Sequence, residues 1–322
     1  MTESRRRMSV ARDTIDPVST SGPITAKGWA LFAVLSLLWG IPYLFIAEAV
    51  QSLSPPAVVA IRTLGAAILL LPFALRQKAL RPALKKWPWV LAFGAVEMAG
   101  PFVLLAHAEQ TLASGLTGLL VATVPLFATI IAVARGDRAA LKPSRAIGLG
   151  LGFAGVAIVA IGSGGLRGDA NPLAIGEVLL VAVLYAIAPF IVARHLGAVP
   201  ALGVSTLALG AVGLAYTPVA LSTPSEPPTA RSLIAVGLLT VFCTAVAFIA
   251  FFALVAEVGP VRAPLMTYVH PVVAVALGVI VRGEPLTLGL LIGFPVVLLG
   301  CLLAAGVFTR AVRPSESLPV HP

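Results

Sequence analysis

Three ionisable side chains lie inside long apolar stretches of this sequence, and each could bind a charged group or transfer a proton. Glu97 occurs within FGAVEMAGP, Arg62 follows the apolar run AVVAI, and His270 lies in LMTYVHP. A charged group in apolar surroundings is costly unless it is paired or neutralised. Ionisable residues in such stretches therefore indicate functional sites by default.

Each of these three residues has two interpretations. Glu97 is either a site for proton coupling or a substrate amine, or it is a structural hydrogen-bonding partner of a neighbouring helix. Arg62 either binds a substrate carboxylate or extends its long side chain toward the membrane interface in a structural role. His270 either relays protons near neutral pH or stays neutral and bonds a carbonyl that Pro271 leaves free. An Arg62–Glu97 pair is compatible with the sequence, which does not place the two side by side.

Aromatic and proline residues recur at a fixed separation along the chain. Trp39 and Tyr43 are four residues apart, which would place them on one helix face, and Tyr185 lies 146 residues beyond Trp39. Such rings either line a cavity that holds an organic substrate or pack between helices. Pro125 and Pro271 are also 146 residues apart. Because proline kinks a helix, we expect this pair to act as matched hinges.

The composition requires a lipid environment. Of the 322 residues, 59% are hydrophobic and 11% are charged, with a mean hydropathy of +1.02, whereas soluble domains carry about 25% charged residues. The apolar runs are continuous over ~20 residues, which favours membrane-spanning helices over a barrel. The net charge of +9 comes from short basic loops, so we do not interpret it as nucleic-acid binding. Cys243 and Cys301 lie in apolar runs and are expected to be small buried residues.

The hydropathy pattern predicts an all-α integral membrane protein with ten transmembrane helices. Polar tails at 1–27 and 306–322 are expected to be disordered and cytoplasmic. The helices fall into two groups of five, at 28–162 and 173–305. Their predicted ranges are 28–47, 57–75, 87–106, 112–134, 146–162, 173–193, 200–221, 231–253, 260–280 and 286–305.

Basic residues predict the orientation. Of the 22 Lys and Arg residues, 18 fall in the tails and loops on one side, three lie on the other, and Arg62 lies within a helix. The positive-inside rule therefore predicts that both termini are cytoplasmic. The membrane that holds the chain is expected to be the plasma membrane. His107 and Glu109, in the loop between predicted helices 3 and 4, fall on the outer side and are expected to be solvated.

The two groups of helices carry an internal repeat. Ser114 and Pro125 are separated by 11 residues, and so are Pro260 and Pro271. RGD at Arg135 and RGE at Arg282 follow the two copies. Five helices per copy is an odd number, so the second copy must be inverted relative to the first. Inverted repeats around a central site are typical of transporters that alternate between two accessible states.

Glycines in predicted helices 5 and 10 match a packing pattern. Gly148 and Gly152, and likewise Gly289 and Gly293, are four residues apart, which favours close helix–helix contact. The segment that begins at Gly150 also matches a dinucleotide-binding fingerprint. It lies within an apolar span with no strand before it, so we reject that interpretation.

These residues resemble the EamA-type transporters of the drug/metabolite transporter superfamily. The resemblance covers about 28–305 and is carried by LLWG at 37–40, Ser54-Pro55 followed by Arg62, Pro125 with Gly136-Asp137, and GEPL at 283–286. Two departures are Asp137, where the family usually has Glu, and Ala208, at the repeat position of Arg62. The resemblance implies a ten-helix secondary transporter of small metabolites, often an exporter of amino acids or related compounds, with a central cavity between the halves.

The leading hypothesis is therefore a secondary transporter that works by alternating access, with Trp39, Tyr43, Arg62, Glu97, Tyr185 and His270 as candidate substrate-cavity residues. Its expected partners are the bilayer, a small-molecule substrate and, left open by the sequence, protons. No cofactor, metal or catalytic residue is predicted. The alternative is an intramembrane enzyme that acts on lipid-like substrates, which would need clustered histidines and acids.

Overall fold

A computed structural model describes residues 24–136, 142–162, 171–259 and 262–305. Within these ranges the chain forms ten apolar helices of membrane-spanning character, eight of them with at least 18 residues and two shorter. Their bounds are α1 Ala26–Ala49, α2 Pro55–Arg76, α3 Trp87–Ala108, α4 Ser114–Ala134, α5 Pro143–Gly162, α6 Pro172–Leu196, α7 Ala201–Ser222, α8 Ala230–Val258, α9 Met266–Arg282 and α10 Leu288–Ala304. The predicted ten-helix fold is confirmed. Both predicted tails, apart from residues 24–27, and the motif positions Asp137 and Pro260 lie outside the described residues.

Local sequence sets where several helices begin. The side chains of Thr25, Asn171, Thr229 and Thr287 each accept a hydrogen bond from a backbone N–H in the first turn of the helix that follows. These N-caps satisfy donors that the helix itself leaves free. At the end of α9, Gly283 adopts a left-handed conformation with a φ of 67°. Glycine takes this conformation without steric cost, which lets the chain turn sharply before Glu284.

The two halves are related by an inverted twofold arrangement. Three helices pack against their own counterparts in the other half: α2 against α7, α4 against α9, and α5 against α10. The other contacts are exchanged between the halves, so that α1 packs against α8 and its counterpart α6 packs against α3. The start of α1 lies beside the end of α8, where Lys27 forms a 3.0 Å ion pair with Glu257. The start of α3 lies beside the end of α6, where the rings of Trp89 and His195 stack at 3.4 Å. We call this side the N-terminal face and the opposite side the distal face.

Helices α5 and α10 pack closely against each other through the glycine faces that the sequence predicts on each of them. A Cβ atom on Gly155 would lie 2.7 Å from the backbone nitrogen of Val297, and one on Gly300 would overlap the backbone of Gly152. Only glycine allows the two backbones to approach this closely. Large apolar side chains instead cover the outer surface, including Ile280, which is 79% exposed, and Ile68, which is 67% exposed. Such a surface fits contact with lipid tails.

Several helices are interrupted near their middle. Helix α4 breaks after Val121 and resumes at Val124, one residue before Pro125. In its counterpart α9, a tight 3₁₀ segment at Ala263–Tyr268 gives way to an α-helix that starts at His270, one residue before Pro271. The breaks therefore coincide with the proline pair that the sequence analysis identified. Whether they act as hinges remains a prediction.

Candidate functional site

Arg62 lies at the centre of the bundle, on α2. Its side chain is 7% exposed, and its Nε donates a 2.9 Å hydrogen bond to the hydroxyl of Thr244 on α8. The guanidinium carbon lies 3.7 Å from the ring centroid of Phe102 on α3, a cation–π contact. No ion pair joins Arg62 to an acid among the described residues, including Glu97. A buried arginine without an anionic partner is suited to receive one from a ligand.

Two π-helical turns lie at equivalent positions of the two halves, and the second contains Thr244, the hydrogen-bond partner of Arg62. The first covers Ala95–Ala99 in α3 and contains Glu97; the second covers Val241–Val246 in α8 and contains Cys243. Glu97 and Cys243 are 146 residues apart, the separation of the repeat. Isolated π-turns are uncommon and occur frequently at functional sites, because the extra residue redirects side chains. The sequence analysis missed both turns, since hydropathy does not distinguish a π-turn from an α-turn.

Tyrosines from α1 and α6 complete this central site. Tyr43 is buried, and Tyr185 keeps a partly accessible side chain. Tyr185 interacts electrostatically with Glu97, Tyr43 and Arg62. Glu97 keeps partial exposure and forms no ion pair within the described chain. The central site thus combines a cation, a carboxyl group and two phenols within an apolar bundle.

Trp39 and His270 form a second, aromatic group. The Trp39 ring lies 5.2 Å from that of Phe251 and 6.1 Å from that of Phe248 on α8. It meets His270 edge to face at 6.0 Å. The Nε2 atom of His270 is buried without a hydrogen-bond partner in the described structure.

Trp39 and Tyr43 do not share one continuous helix face. Helix α1 is interrupted at Ile41, so the two rings contact different helices. Trp39 packs on α8, whereas Tyr43 lies against Gly118 of α4. The interruption follows from Pro42, which cannot continue the hydrogen-bonding pattern of the preceding turn.

A network of charged residues closes the distal face. Glu48 at the end of α1 accepts hydrogen bonds from Arg231 and Arg282, each at 2.5 Å. Glu284 lies 3.4 Å from Arg282. Its two carboxylate oxygens accept the backbone N–H groups of Ser114 and Gly115, at 2.9 and 3.1 Å. A carboxylate at a helix start is favoured by the free N–H groups and by the helix dipole. The network joins the two halves of the repeat.

Glu109 lies beside this network, and the expectation that it is solvated is wrong. Its side chain is 3% exposed, and both carboxyl oxygens lack a hydrogen-bond partner among the described residues. The hydroxyls of Thr117 and Ser114, together with Arg282 and Glu284, act electrostatically on its carboxyl group. The loop folds inward because Leu112 packs into the core, which carries Glu109 with it. His107 is exposed, as expected, and forms a 2.8 Å ion pair with Glu177 of α6.

Comparisons with known proteins agree with this architecture. The model of the EamA-like transporter family matches residues 26–161 and 173–306, one match for each half. The chain belongs to the EamA-like transporter family. An Escherichia coli K12 protein named uncharacterized inner membrane transporter YedA is 31% identical over 262 residues, covering 80% of this chain and 83% of that protein. An uncharacterized transporter of Archaeoglobus fulgidus is 27% identical over 286 residues, covering 85% and 97%.

The fold also matches a solved structure. The crystal structure of another protein superposes on this chain with a TM-score of 0.62 and is 21% identical in sequence. The superposition covers 88% of this chain and 98% of the other. This likeness concerns the fold alone. The EamA-like family assignment identifies the chain as a membrane transporter, and it agrees with the resemblance that the sequence motifs indicated.

Proposed function

We propose that this EamA-like protein exports a small zwitterionic metabolite, an amino acid or a related compound, across the cytoplasmic membrane. The Lys and Arg distribution supports a cytoplasmic N-terminal face and an external distal face. The Escherichia coli relative is named an inner membrane transporter, which supports the same location. The direction of transport rests on the family resemblance.

The observation that carries the choice of substrate is the unpaired Arg62 in the centre of the bundle. Thr244 occupies its Nε and Phe102 one face of its guanidinium, while no carboxylate of the described chain pairs with it. A substrate carboxylate would supply the missing charge and two parallel hydrogen bonds. Binding then offsets the cost of a buried cation, which gives selectivity for substrates that carry an acid group.

Glu97 supports a zwitterion over a simple acid. It lies on the π-turn of α3, interacts electrostatically with Tyr185, and lacks an ionic partner in the described chain. An ammonium group of the substrate would pair with it, while Tyr185 and Tyr43 would donate hydrogen bonds to the substrate. Trp39 and His270 would then contact the substrate side chain from the aromatic group.

The inverted halves support transport by alternating access. In the described structure the charged network, Ser52 with Thr229 at 3.1 Å, and Ser54 with Ser225 at 3.2 Å join the halves at the distal face. Opening that face would require breaking these contacts. The breaks at Pro125 and Pro271 supply two matched positions where helices could bend.

The experiment is a counterflow assay with the purified chain in proteoliposomes. A panel of labelled amino acids would be compared with the corresponding amides and amines. Both of these compound classes lack the carboxylate. We expect only compounds with both a carboxylate and an ammonium group to exchange. Exchange of an amide at the rate of its parent amino acid would contradict the role of Arg62.

A second measurement separates Glu97 as a substrate contact from Glu97 as a coupling site. Flux by the Glu97→Gln variant would be compared with wild-type flux at two pH values. We expect weaker substrate affinity at both pH values, because the variant removes the counter-charge for the ammonium. Unchanged flux at every pH would exclude both roles.

A further inference from the structure

Glu109 is the one carboxyl group of the distal network that the described contacts leave without a partner. The side chain is only 3% exposed. Both of its oxygens are buried and have no hydrogen-bond partner in the described structure. Leaving an ionised carboxylate in this condition would cost several kcal/mol. Neither the substrate site nor the closure of the distal face by Glu48 and Glu284 gives it a role.

The charges around Glu109 do not balance if it is ionised. Glu48 and Glu284 are matched by Arg231 and Arg282. The fifth charge, on Glu109, has no counterpart, and its closest charged neighbours are Glu284, which repels it, and Arg282, which already contacts both other acids. One positive charge is therefore missing from the closed network, and the carboxyl group of Glu109 is buried in protein.

We propose that Glu109 is a proton-binding site that latches the distal face closed. The proton binds to a carboxyl oxygen, neutralises the fifth charge and allows Glu109 to pack beside Glu284. When the distal face opens, water reaches the carboxyl group, the proton dissociates, and the resulting repulsion from Glu284 disfavours closure. This inference rests on the proposed transport function, whose outward opening it would regulate.

The electrostatic surroundings support this assignment. Burial raises the pKa of Glu109 well above its ordinary range, and the Glu284 carboxylate raises it further, while Thr117, Arg282 and Ser114 lower it. A raised pKa means that the closed state binds the proton more tightly than a state in which Glu109 is hydrated. Closure is consequently favoured below the raised pKa and is lost as the pH rises through it.

Other titratable groups on this face must be distinguished from Glu109. Among the described residues, α4 presents the hydroxyls of Ser114 and Thr117 to it, α1 presents the phenol of Tyr43, and the end of α9 with the following loop presents Arg282 and Glu284. Farther along, Glu48 and Arg231 complete the network. The ion pair of His107 with Glu177 lies on the same face and also includes an ionisable ring. Glu177 therefore provides the matched control.

The test measures opening of the distal face without a substrate. Leu116 is buried in the first turn of α4, at 6% exposure, so a cysteine placed there is expected to react with a membrane-impermeant maleimide only after opening. Labelling rates of Leu116→Cys in full-length protein would be measured in lipid nanodiscs across a pH series. The parent protein, whose Cys243 and Cys301 are buried, gives the background rate.

We expect labelling of Leu116→Cys to accelerate at least several-fold as the pH rises. Adding Glu109→Gln, which imitates the protonated group, should keep labelling slow at every pH, whereas adding Glu109→Asp should restore the acceleration. Adding Glu177→Gln should leave the pH profile unchanged. Infrared spectra should show a protonated-carboxyl band that Glu109→Gln removes. Thermal unfolding would confirm that the variants fold.

Three outcomes would overturn the proposal. One is an unchanged pH profile in the Glu109→Gln variant. Another is a profile that disappears with Glu177→Gln, which would assign the effect to His107. The third is labelling that responds to sodium in place of pH, which would make the bound cation sodium. Counterflow distinguishes this inference from the transport proposal. A pH-dependent distal face without amino-acid exchange would remove only the proposed substrate, and exchange without the pH effect would remove only the latch.

Discussion

At the scale of single residues, the site gains its chemistry by departing from the symmetry of the fold. Arg62 corresponds to Ala208, and Glu97 corresponds to Cys243, at the repeat separation of 146 residues. Both charged groups therefore come from the first half, and their counterparts in the second half are uncharged. A substrate with two different ends needs such a site, because two identical charges facing each other could not bind a carboxylate and an ammonium together.

Replacing Arg62 by lysine tests the proposed carboxylate clamp. The variant keeps the charge but loses the planar fork and its contact with Phe102. Since a hydrogen bond to a charged group contributes about 1.5–3 kcal/mol, we expect a loss of roughly tenfold or more in substrate affinity. Counterflow and ligand-induced thermal shifts would measure it. Phe102→Leu is the control for lost packing. An Arg62→Lys variant with wild-type affinity would contradict the clamp.

At the scale of elements, irregular helices bring the functional groups into place. The π-turns of α3 and α8 orient Glu97 and Cys243, and the breaks in α4 and α9 precede prolines. A regular α-helix would form all of its backbone hydrogen bonds, so these departures have an energetic cost. Their recurrence at equivalent positions of both halves favours a role in the transport cycle.

Changing the prolines tests the hinge prediction. Pro125→Ala would allow α4 to continue across its break, so we expect stability to be kept or raised while flux falls several-fold. Pro271→Ala should act in the same direction. Pro295, which lies inside α10 without a break, is the matched control, and Pro295→Ala should leave flux unchanged. Wild-type flux in both Pro125→Ala and Pro271→Ala would remove the hinge role.

The glycine contact of α5 and α10 makes a prediction about stability. Gly155→Ala would place a methyl group 2.7 Å from the backbone of Val297 and should destabilise the fold by about 1–3 kcal/mol. Gly150→Ala, in the same helix, has open space around the added carbon. It should be neutral or slightly stabilising, because alanine favours helices by up to about 1 kcal/mol over glycine. Thermal unfolding in detergent would compare the two. Equal melting temperatures would contradict the close packing.

At the scale of the whole molecule, the fold consists of two inverted halves. The polar contacts between the halves in the described structure are concentrated at the distal face. Carboxylates, guanidiniums and hydroxyls from both halves meet at the distal face. At the N-terminal face the described ion pair of Lys27 with Glu257 is largely exposed and contributes little. This difference between the faces gives the proposed cycle a defined starting state, closed to the outside.

Orientation can be tested on intact cells. Glu226, in the loop between α7 and α8, and Lys142, in the loop before α5, are both exposed but lie on opposite faces. We expect an impermeant maleimide to label Glu226→Cys in intact cells and Lys142→Cys only after the cells are permeabilised. The reverse pattern would place both termini outside and invert the proposed direction of the distal latch.

The sequence by itself determined the helices, their number and the inverted repeat. Long apolar runs in lipid can only form helices or barrels, because backbone groups there have no water to bond. Glycine spacing likewise predicted a close-packing face on α5 and another on α10, since the pattern is local to each helix; that these two faces meet is decided by the tertiary structure. The motif residues also indicated the family correctly.

Only the tertiary structure decided which polar groups meet. Arg62 and Thr244 are 182 residues apart in the chain, and no local pattern encodes their contact. The sequence predicted that Glu109 is a solvated loop residue. It is buried instead, because Leu112 of the same loop packs into the core and because Arg282 and Glu284, at the end of α9, lie near its carboxyl group. The physical reason is that hydropathy is a property of each segment, whereas the cost of a charge depends on every group that the fold places around it.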